Sequence, residues 1–236
     1  MKKFVFCLML LLPVALFADV FTYTYDFEAD DGGFVPYTFH TGCVAAPFEW
    51  GEWTQDCAPT GGKVWGANLT AYYQNSAAEI LVMPVLTNID DPSLTYITLE
   101  FDHGGKVFTS FDGVSLMYSY TGNIDEDLTD WATVPGALFT QGGYTAACGS
   151  ACSGVLGGSA EDNVFGEGSS CIGTSEPTHM IVDLTSLAVG SGESTLYIGW
   201  LMDTSSVVNY EGYWLDNVVV TADASVPVEL LDFSAE

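Results

Sequence analysis

Asp26, Glu28, Asp30 and Asp31 crowd together beside Gly32 and Gly33, and a further carboxylate, Asp216, breaks the apolar run Gly212 to Val220 near the other end of the chain. Oxygen donors at this density suit calcium, which takes roughly 6 to 8 ligands from carboxylates, amides and backbone carbonyls. The spacing is not that of an EF-hand, so the ligands would have to converge from separate strands. In a β-sandwich the first and last strands commonly lie side by side, which would bring the two acidic positions together. Catalytic chemistry is less well served. His40, His103 and His179 are the only histidines, and neither an HExxH helix nor a Gly-x-Ser-x-Gly elbow is present. Carboxylate pairs can hydrolyse a glycosidic bond, but the strand-borne Glu-x-Asp-x-x-Glu arrangement of sandwich glycosidases is missing. Recognition is the better class: six tryptophans and twelve tyrosines can stack on sugar rings. Trp65, Trp200 and Trp214 lie in strand-like runs and are expected in the core. Trp50, Trp53 and Tyr144 lie in long loops and are the expected exposed contacts.

The elements that must position these residues are strands. Phe21 to Phe27 alternates aromatic with polar, and Glu79 to Val85, Leu94 to Phe101, Val114 to Tyr120, His179 to Leu184, Thr195 to Met202 and Tyr213 to Thr221 are rich in Val, Ile, Tyr and Thr. Turn dipeptides such as Asp31-Gly32, Gly104-Gly105, Asp112-Gly113 and Ser191-Gly192 separate them. No convincing amphipathic helix interrupts the series. The expectation is an all-β, antiparallel two-sheet sandwich of jelly-roll type. Residues 28–62 and 136–176 resist assignment as strands and are expected to be long functional loops.

Residues 1–18 read as an export signal, with Lys2 and Lys3 before an apolar run and Ala18 at the cut. The run is short for a membrane span. The expected organisation is a signal peptide at 1–18, one sandwich domain at 19–224, and a linker or sorting-tail remnant at 225–236. The chain carries 31 acidic residues and a net charge of −27, and beyond the signal its only basic residues are Lys63 and Lys106. Charged residues make up 15% of the chain, against about a quarter in an average protein, so the anomaly is missing Lys and Arg. Such a surface repels nucleic acid and anionic lipid and attracts cations. A secreted or cell-surface location follows, where disulfides persist. Five cysteines remain there. The expected pairing is Cys43 with Cys57, and Cys171 with either Cys148 or Cys152, leaving one thiol unpaired or intermolecular. No histidine stands beside them at zinc-ligand spacing.

An ordered set of short motifs adds a resemblance. Asp26-Phe27-Glu28, Phe48-Glu49-Trp50-Gly51, Val64 to Leu69 with Tyr72-Tyr73, Leu99 to His103, Asp112-Gly113-Val114 and Gly212 to Val218 follow one another along the chain. Together they resemble the MAM-like jelly-roll domain associated with immune inhibitor A type secreted bacterial proteins. The resemblance implies a concanavalin-like sandwich, calcium as a structural ion and an accessory role in adhesion. It places Glu28 and Asp216 at the acidic positions of the first and last strands and Asp102 at the polar end of the central strand. The expected metal set is therefore Asp26, Glu28, Asp31, Asp102 and Asp216. The function expected is a non-catalytic adhesion module for an extracellular glycan or cell-surface protein. A self-associating structural subunit of an extracellular matrix and a hydrolase relative are the alternatives.

Overall fold

The computed structural model describes residues 21–45, 48–59, 62–108, 111–147, 155, 163–166, 170–172 and 178–224. The signal and tail segments expected from sequence lie outside this set. Thirteen strands are present among the described residues: β1 (Phe21–Tyr25), β2 (Val35–Thr38), β3 (Phe48–Glu52), β4 (Lys63–Ala67), β5 (Ala78–Val82), β6 (Leu86–Thr87), β7 (Leu94–Lys106), β8 (Gly113–Ser119), β9 (Ala132–Thr133), β10 (Phe139–Gln141), β11 (His179–Asp183), β12 (Thr195–Asp203) and β13 (Gly212–Ala224). One four-residue helix, α1 (Thr185–Ala188), caps the turn after β11. No helix among the described residues is long and apolar enough to cross a membrane.

The strands form two antiparallel sheets. The larger runs β10-β11-β7-β13-β4-β3, with β1 also paired to β13; the smaller runs β2-β5-β12-β8-β9, with β6 also paired to β12. The fold is thus the two-sheet sandwich that the strand pattern predicts. The first strand does lie against the last: Phe21 pairs with Ala222 and Tyr25 with Val218. Because β7 pairs along nearly the whole of β13, β1 and β4 share the opposite edge of β13, β4 at Trp214 and Leu215 and β1 further on.

Alternation sorts each strand between core and surface. Along β7, Ile97, Leu99 and Phe101 enter the main core while Glu100 and Asp102 face outward. Along β13, Tyr213 and Leu215 point inward and Trp214 and Asp216 outward. Trp200 and Phe101 meet edge-on between the sheets, with Phe34 closing over Trp200. Residues 28–62 depart from the expected long loop, since they contain β2 and β3. Both are short and broken by Pro36 and Gly51, which hid them from pattern reading.

Candidate functional site

Register places Asp102 at a crossing of three strands. It is the ladder partner of Asp216 on β13 and of His179 on β11. Beyond this point the β7–β13 register slips, because Asp216 pairs with Asp102 but Val219 with Glu100. The extra residue is a β-bulge, and Asn217 takes a φ of 49° within it. The bulge turns the Asn217 side chain back so that its Nδ2 donates to Asp102 Oδ2 at 2.9 Å, while its backbone N–H donates to Asp216 Oδ1 at 2.7 Å. His179 Nδ1 lies 2.7 Å from the other Asp102 oxygen, and His179 Nε2 lies 3.6 Å from Glu100.

A loop folds over this outer face. The Trp214 ring lies across Gly104, where any Cβ would collide with it, and its Nε1 donates to Cys57 O at 2.7 Å. Gln55 Nε2 donates to the carbonyls of Asn68 and Glu211, and Trp53 packs with Val64, Leu69 and Trp214. The Cys57–Cys171 disulfide fastens the same loop, and the neighbouring Ile172 N–H donates to Gly105 O at the end of β7. Where the loop stops short of covering the sheet, a cleft of about 220 Å³ remains, walled by Ala58, Pro59, Trp214 and Thr178 and floored by Asp102, Asp216 and Asn217.

The electrostatics of the cleft centre on Asp216, only 7% exposed. Burial pushes its carboxyl up to about 6; the Asn217 N–H opposes that, and repulsion from Asp102, Glu28 and Asp26 adds to it. The Glu28 carboxylate occupies the space where Gly62 lacks a side chain. Asp26 accepts from the Glu28 N–H at 3.2 Å. Thus four of the five carboxylates expected at a metal site act on one another here. Asp31 does other work: its side chain accepts from Gly33 N–H, and its carbonyl accepts from Trp65 Nε1.

Other expectations need correction. Cys57 bonds Cys171, not Cys43, which is a free, half-buried thiol. Two cysteines 114 residues apart meet because one lies in the covering loop and the other precedes Ile172, which is hydrogen-bonded beside the end of β7; nearness in sequence was a poor guide. Cys148 and Cys152 lie outside the described residues. Trp53, at 8% exposure, is a core residue of the covering loop, its Nε1 bound to Asp56 O. Tyr144 is internal too, donating to the carbonyls of Leu116 and Val134 and packing on Phe139 and Phe165. Trp50 is half-buried in β3, with Nε1 on Phe27 O and Lys63 over its ring at 4.3 Å. None of the three is the exposed contact expected from loop position. Trp65, Trp200 and Trp214 are buried as expected. Sequence reading missed His179 and Asn217. His179 opens a strand run that looks structural, and nothing local marks a bulge at Asn217.

No protein-family model matches the chain. No curated protein matches it either. Among solved structures it resembles the K1 cleaved adhesin domain of Lys-gingipain from Porphyromonas gingivalis W83, at 15% identity over 87% of this chain and 99% of that one, with a TM-score of 0.46. The K3 cleaved adhesin domain of the same protein gives 16% identity, coverage of 85% and 91%, and a TM-score of 0.37. A Stig cyclase from Fischerella sp. TAU gives 15%, 89% and 90%, and 0.31. At such identities and TM-scores these likenesses carry no argument about function. The MAM-like resemblance is supported at the level of the β-sandwich.

Proposed function

We propose that the chain is a secreted, non-catalytic adhesion module that holds calcium at the Asp102–Asp216 cleft and engages an extracellular glycan or cell-surface protein. The observation that carries the reading is Asp216: a nearly buried carboxylate repelled by three others, at the floor of a cleft held open by a disulfide-fastened loop. A divalent cation between Asp102 and Asp216 would relieve that repulsion. Among the described residues no three His, Cys, Asp or Glu side chains are grouped as ligands of one ion. Calcium would therefore complete its shell from the Asn217 amide oxygen, backbone carbonyls and water, all hard oxygen donors it accepts. The ion would neutralise the cleft so that an uncharged or anionic group of a partner can approach.

Cys43 does not favour the matrix-subunit alternative. Burial, reinforced by the charge of Asp203, pushes its thiol up, so the thiolate needed for intermolecular exchange is scarce.

The test is thermal unfolding of the secreted chain with calcium and with EDTA, alongside its adhesion to glycan- and cell-coated surfaces. Calcium at a hundredfold excess over its dissociation constant should stabilise by about 2.7 kcal/mol, and adhesion should fall when the ion is removed. An unchanged midpoint at every calcium level removes the ion from the reading. Turnover of a polysaccharide or peptide would replace adhesion with hydrolysis.

A further inference from the structure

A sandwich is open to other chains at its sheet edges, because an edge strand leaves alternate N–H and C=O groups without a ladder partner. Most edges among the described residues are blunted. β2 carries Pro36, β3 carries Glu49, Gly51 and Glu52, β10 is three residues long with a slip in register between Phe139 and Gln141, and β6 and β9 have two residues each. β1 is the exception. Phe21-Thr22-Tyr23-Thr24-Tyr25 has no charge, proline, glycine or bulge, pairs in unbroken register with β13 on one side, and meets no strand on the other among the described residues. Its aromatic and β-branched residues are those that favour an extended chain.

This edge lies in a step of the larger sheet. β4 and β1 take successive stretches of the same side of β13, β4 at Trp214 and Leu215 and β1 from Val218 to Ala222, but β3 pairs with β4 alone. Among the described residues, no strand lies beside β1 in line with β3. The core-facing side of β1 is aromatic. Phe21 and Tyr25 pack partly on the main core, and alternation puts Tyr23 on the same side, its ring centre 5.4 Å from that of Phe21 and the residue still 45% exposed. Thr22 and Thr24 face the other way and are exposed. A strand laid along β1 would complete the row that β3 begins and cover Tyr23.

Charge selects what that strand can be. Beyond Tyr25 the chain runs straight into Asp26 and Glu28, both exposed, and both repel the Asp216 carboxylate. Neither is ion-paired among the described residues: Lys63 lies over Trp50, and Lys106 pairs with Glu211. A second copy would bring a net charge of −27 to a surface of the same sign. Residues 225–236 of the chain itself carry Glu229, Asp232 and Glu236 and no basic residue, so the same repulsion applies to them. A basic segment is attracted instead. We infer that the free edge of β1 is a docking site for an extended segment of a partner protein, one that alternates apolar and polar residues and carries Lys or Arg where it meets Asp26 and Glu28. Main-chain hydrogen bonds supply the affinity, and the Tyr23 side and the acidic end supply the selection. The inference narrows the partner of the adhesion reading, on which it rests, to a protein, and it needs no calcium.

The experiment is calorimetric titration of the secreted chain, in EDTA and at low salt, with the peptide acetyl-Lys-Lys-Thr-Val-Thr-Val-Thr-Lys-Lys-amide and with the same peptide bearing Glu for every Lys. Amide hydrogen exchange is followed on each mixture. The lysine peptide should bind, the glutamate peptide should bind about tenfold more weakly or worse, and exchange should slow in β1. Successive N–H groups of a strand point to opposite edges, so one of Tyr23→Pro and Thr24→Pro removes a donor from the free edge and the other from the β13 ladder. The free-edge variant should lose the peptide with its unfolding midpoint close to that of the wild type; if both midpoints fall, exchange in the wild type decides. No binding of the lysine peptide, equal binding of the two peptides, or slowed exchange only outside β1 would overturn the inference. So would sedimentation showing self-association that protects β1, which gives the edge to a second copy, or binding seen only once residues 225–236 are removed, which gives it to the chain's own tail. Failure here leaves calcium-dependent adhesion at the cleft on its own test, and failure of the calcium test leaves the peptide result standing.

Discussion

Asp216 stands opposite Asp102 across the β7–β13 ladder, and the bulge immediately after Asp216 sends the Asn217 amide back to the Asp102 carboxylate. Two acids are thereby held facing one another on the outside of the sheet, one of them nearly buried. Like charges directly opposed across strands are destabilising. Their retention here makes sense if something positive sits between them.

Asp216→Asn should separate repulsion from ion binding. In EDTA the variant should match or exceed the wild type by about 1 kcal/mol, because a buried, repelled charge has gone. With saturating calcium the order should reverse, the wild type gaining about 2.7 kcal/mol at a hundredfold excess and the variant much less. Differential scanning calorimetry reads both. A variant less stable than the wild type in EDTA would mean that the Asp216 hydrogen bond to Asn217 outweighs the repulsion.

Glu79 should make stability fall as pH rises toward neutrality. This residue of β5 reaches across to the other sheet, accepting from Phe48 N–H at 2.8 Å, and also accepts from Thr38 Oγ1 of the adjoining β2 at 3.2 Å. Burial pushes its carboxyl from 4.5 up to about 7 despite those two donors. The folded protein thus keeps a proton that the unfolded chain has released, and stability present below pH 4.5 is lost as pH climbs to about 7. Glu79→Gln keeps an oxygen for Phe48 and an amide for Thr38. It should flatten this slope and exceed the wild type above pH 7 by up to about 3 kcal/mol. Urea denaturation at half-unit pH intervals is the check, and parallel profiles would show that Glu79 is charged in the fold. Asp216 shifts in the same direction and remains in both proteins, so only their difference reports Glu79.

The Cys57–Cys171 bond should matter more than its surface position suggests. It closes a loop of 114 residues, for which chain entropy alone predicts a loss of roughly 4 to 5 kcal/mol on removal. Cys57→Ser should lower the denaturation midpoint and loosen the loop over Trp214, detected as greater quenching of tryptophan fluorescence by acrylamide. Cys43→Ser should do neither. Equal losses in both variants would restore the Cys43–Cys57 bridge expected from sequence.

Trp53→Ala should behave as a core mutation. The ring lies over Gly66, where a Cβ would strike it, and packs with Leu69 and Trp214. Its removal should cost about 3 to 5 kcal/mol. Chemical denaturation would show it. A stable variant that had merely lost ligand affinity would return Trp53 to the exposed role its loop position suggested.

The strands of the central ladders, the sandwich class and the pairing of first with last strand were all legible in the chain itself. Alternation such as Ile97-Thr98-Leu99-Glu100-Phe101 has a period of two because side chains leave a strand on opposite sides, and that regularity survives without knowledge of neighbours. The charge deficit in Lys and Arg, and the carboxylates at Asp26, Glu28 and Asp216, were equally open to inspection. Trp53 and Tyr144 were misjudged because residues outside a strand pattern are expected at the surface, whereas the segment after β3 packs Trp53 onto the sheet and the segment after β10 packs Tyr144 against Phe139 and Phe165. Cysteine partnership, the Asn217 bulge and the contact of His179 with Asp102 had no local signature at all. Each joins residues from strands or loops far apart in the chain, and such contacts arise from register and packing, which no short stretch of sequence specifies by itself.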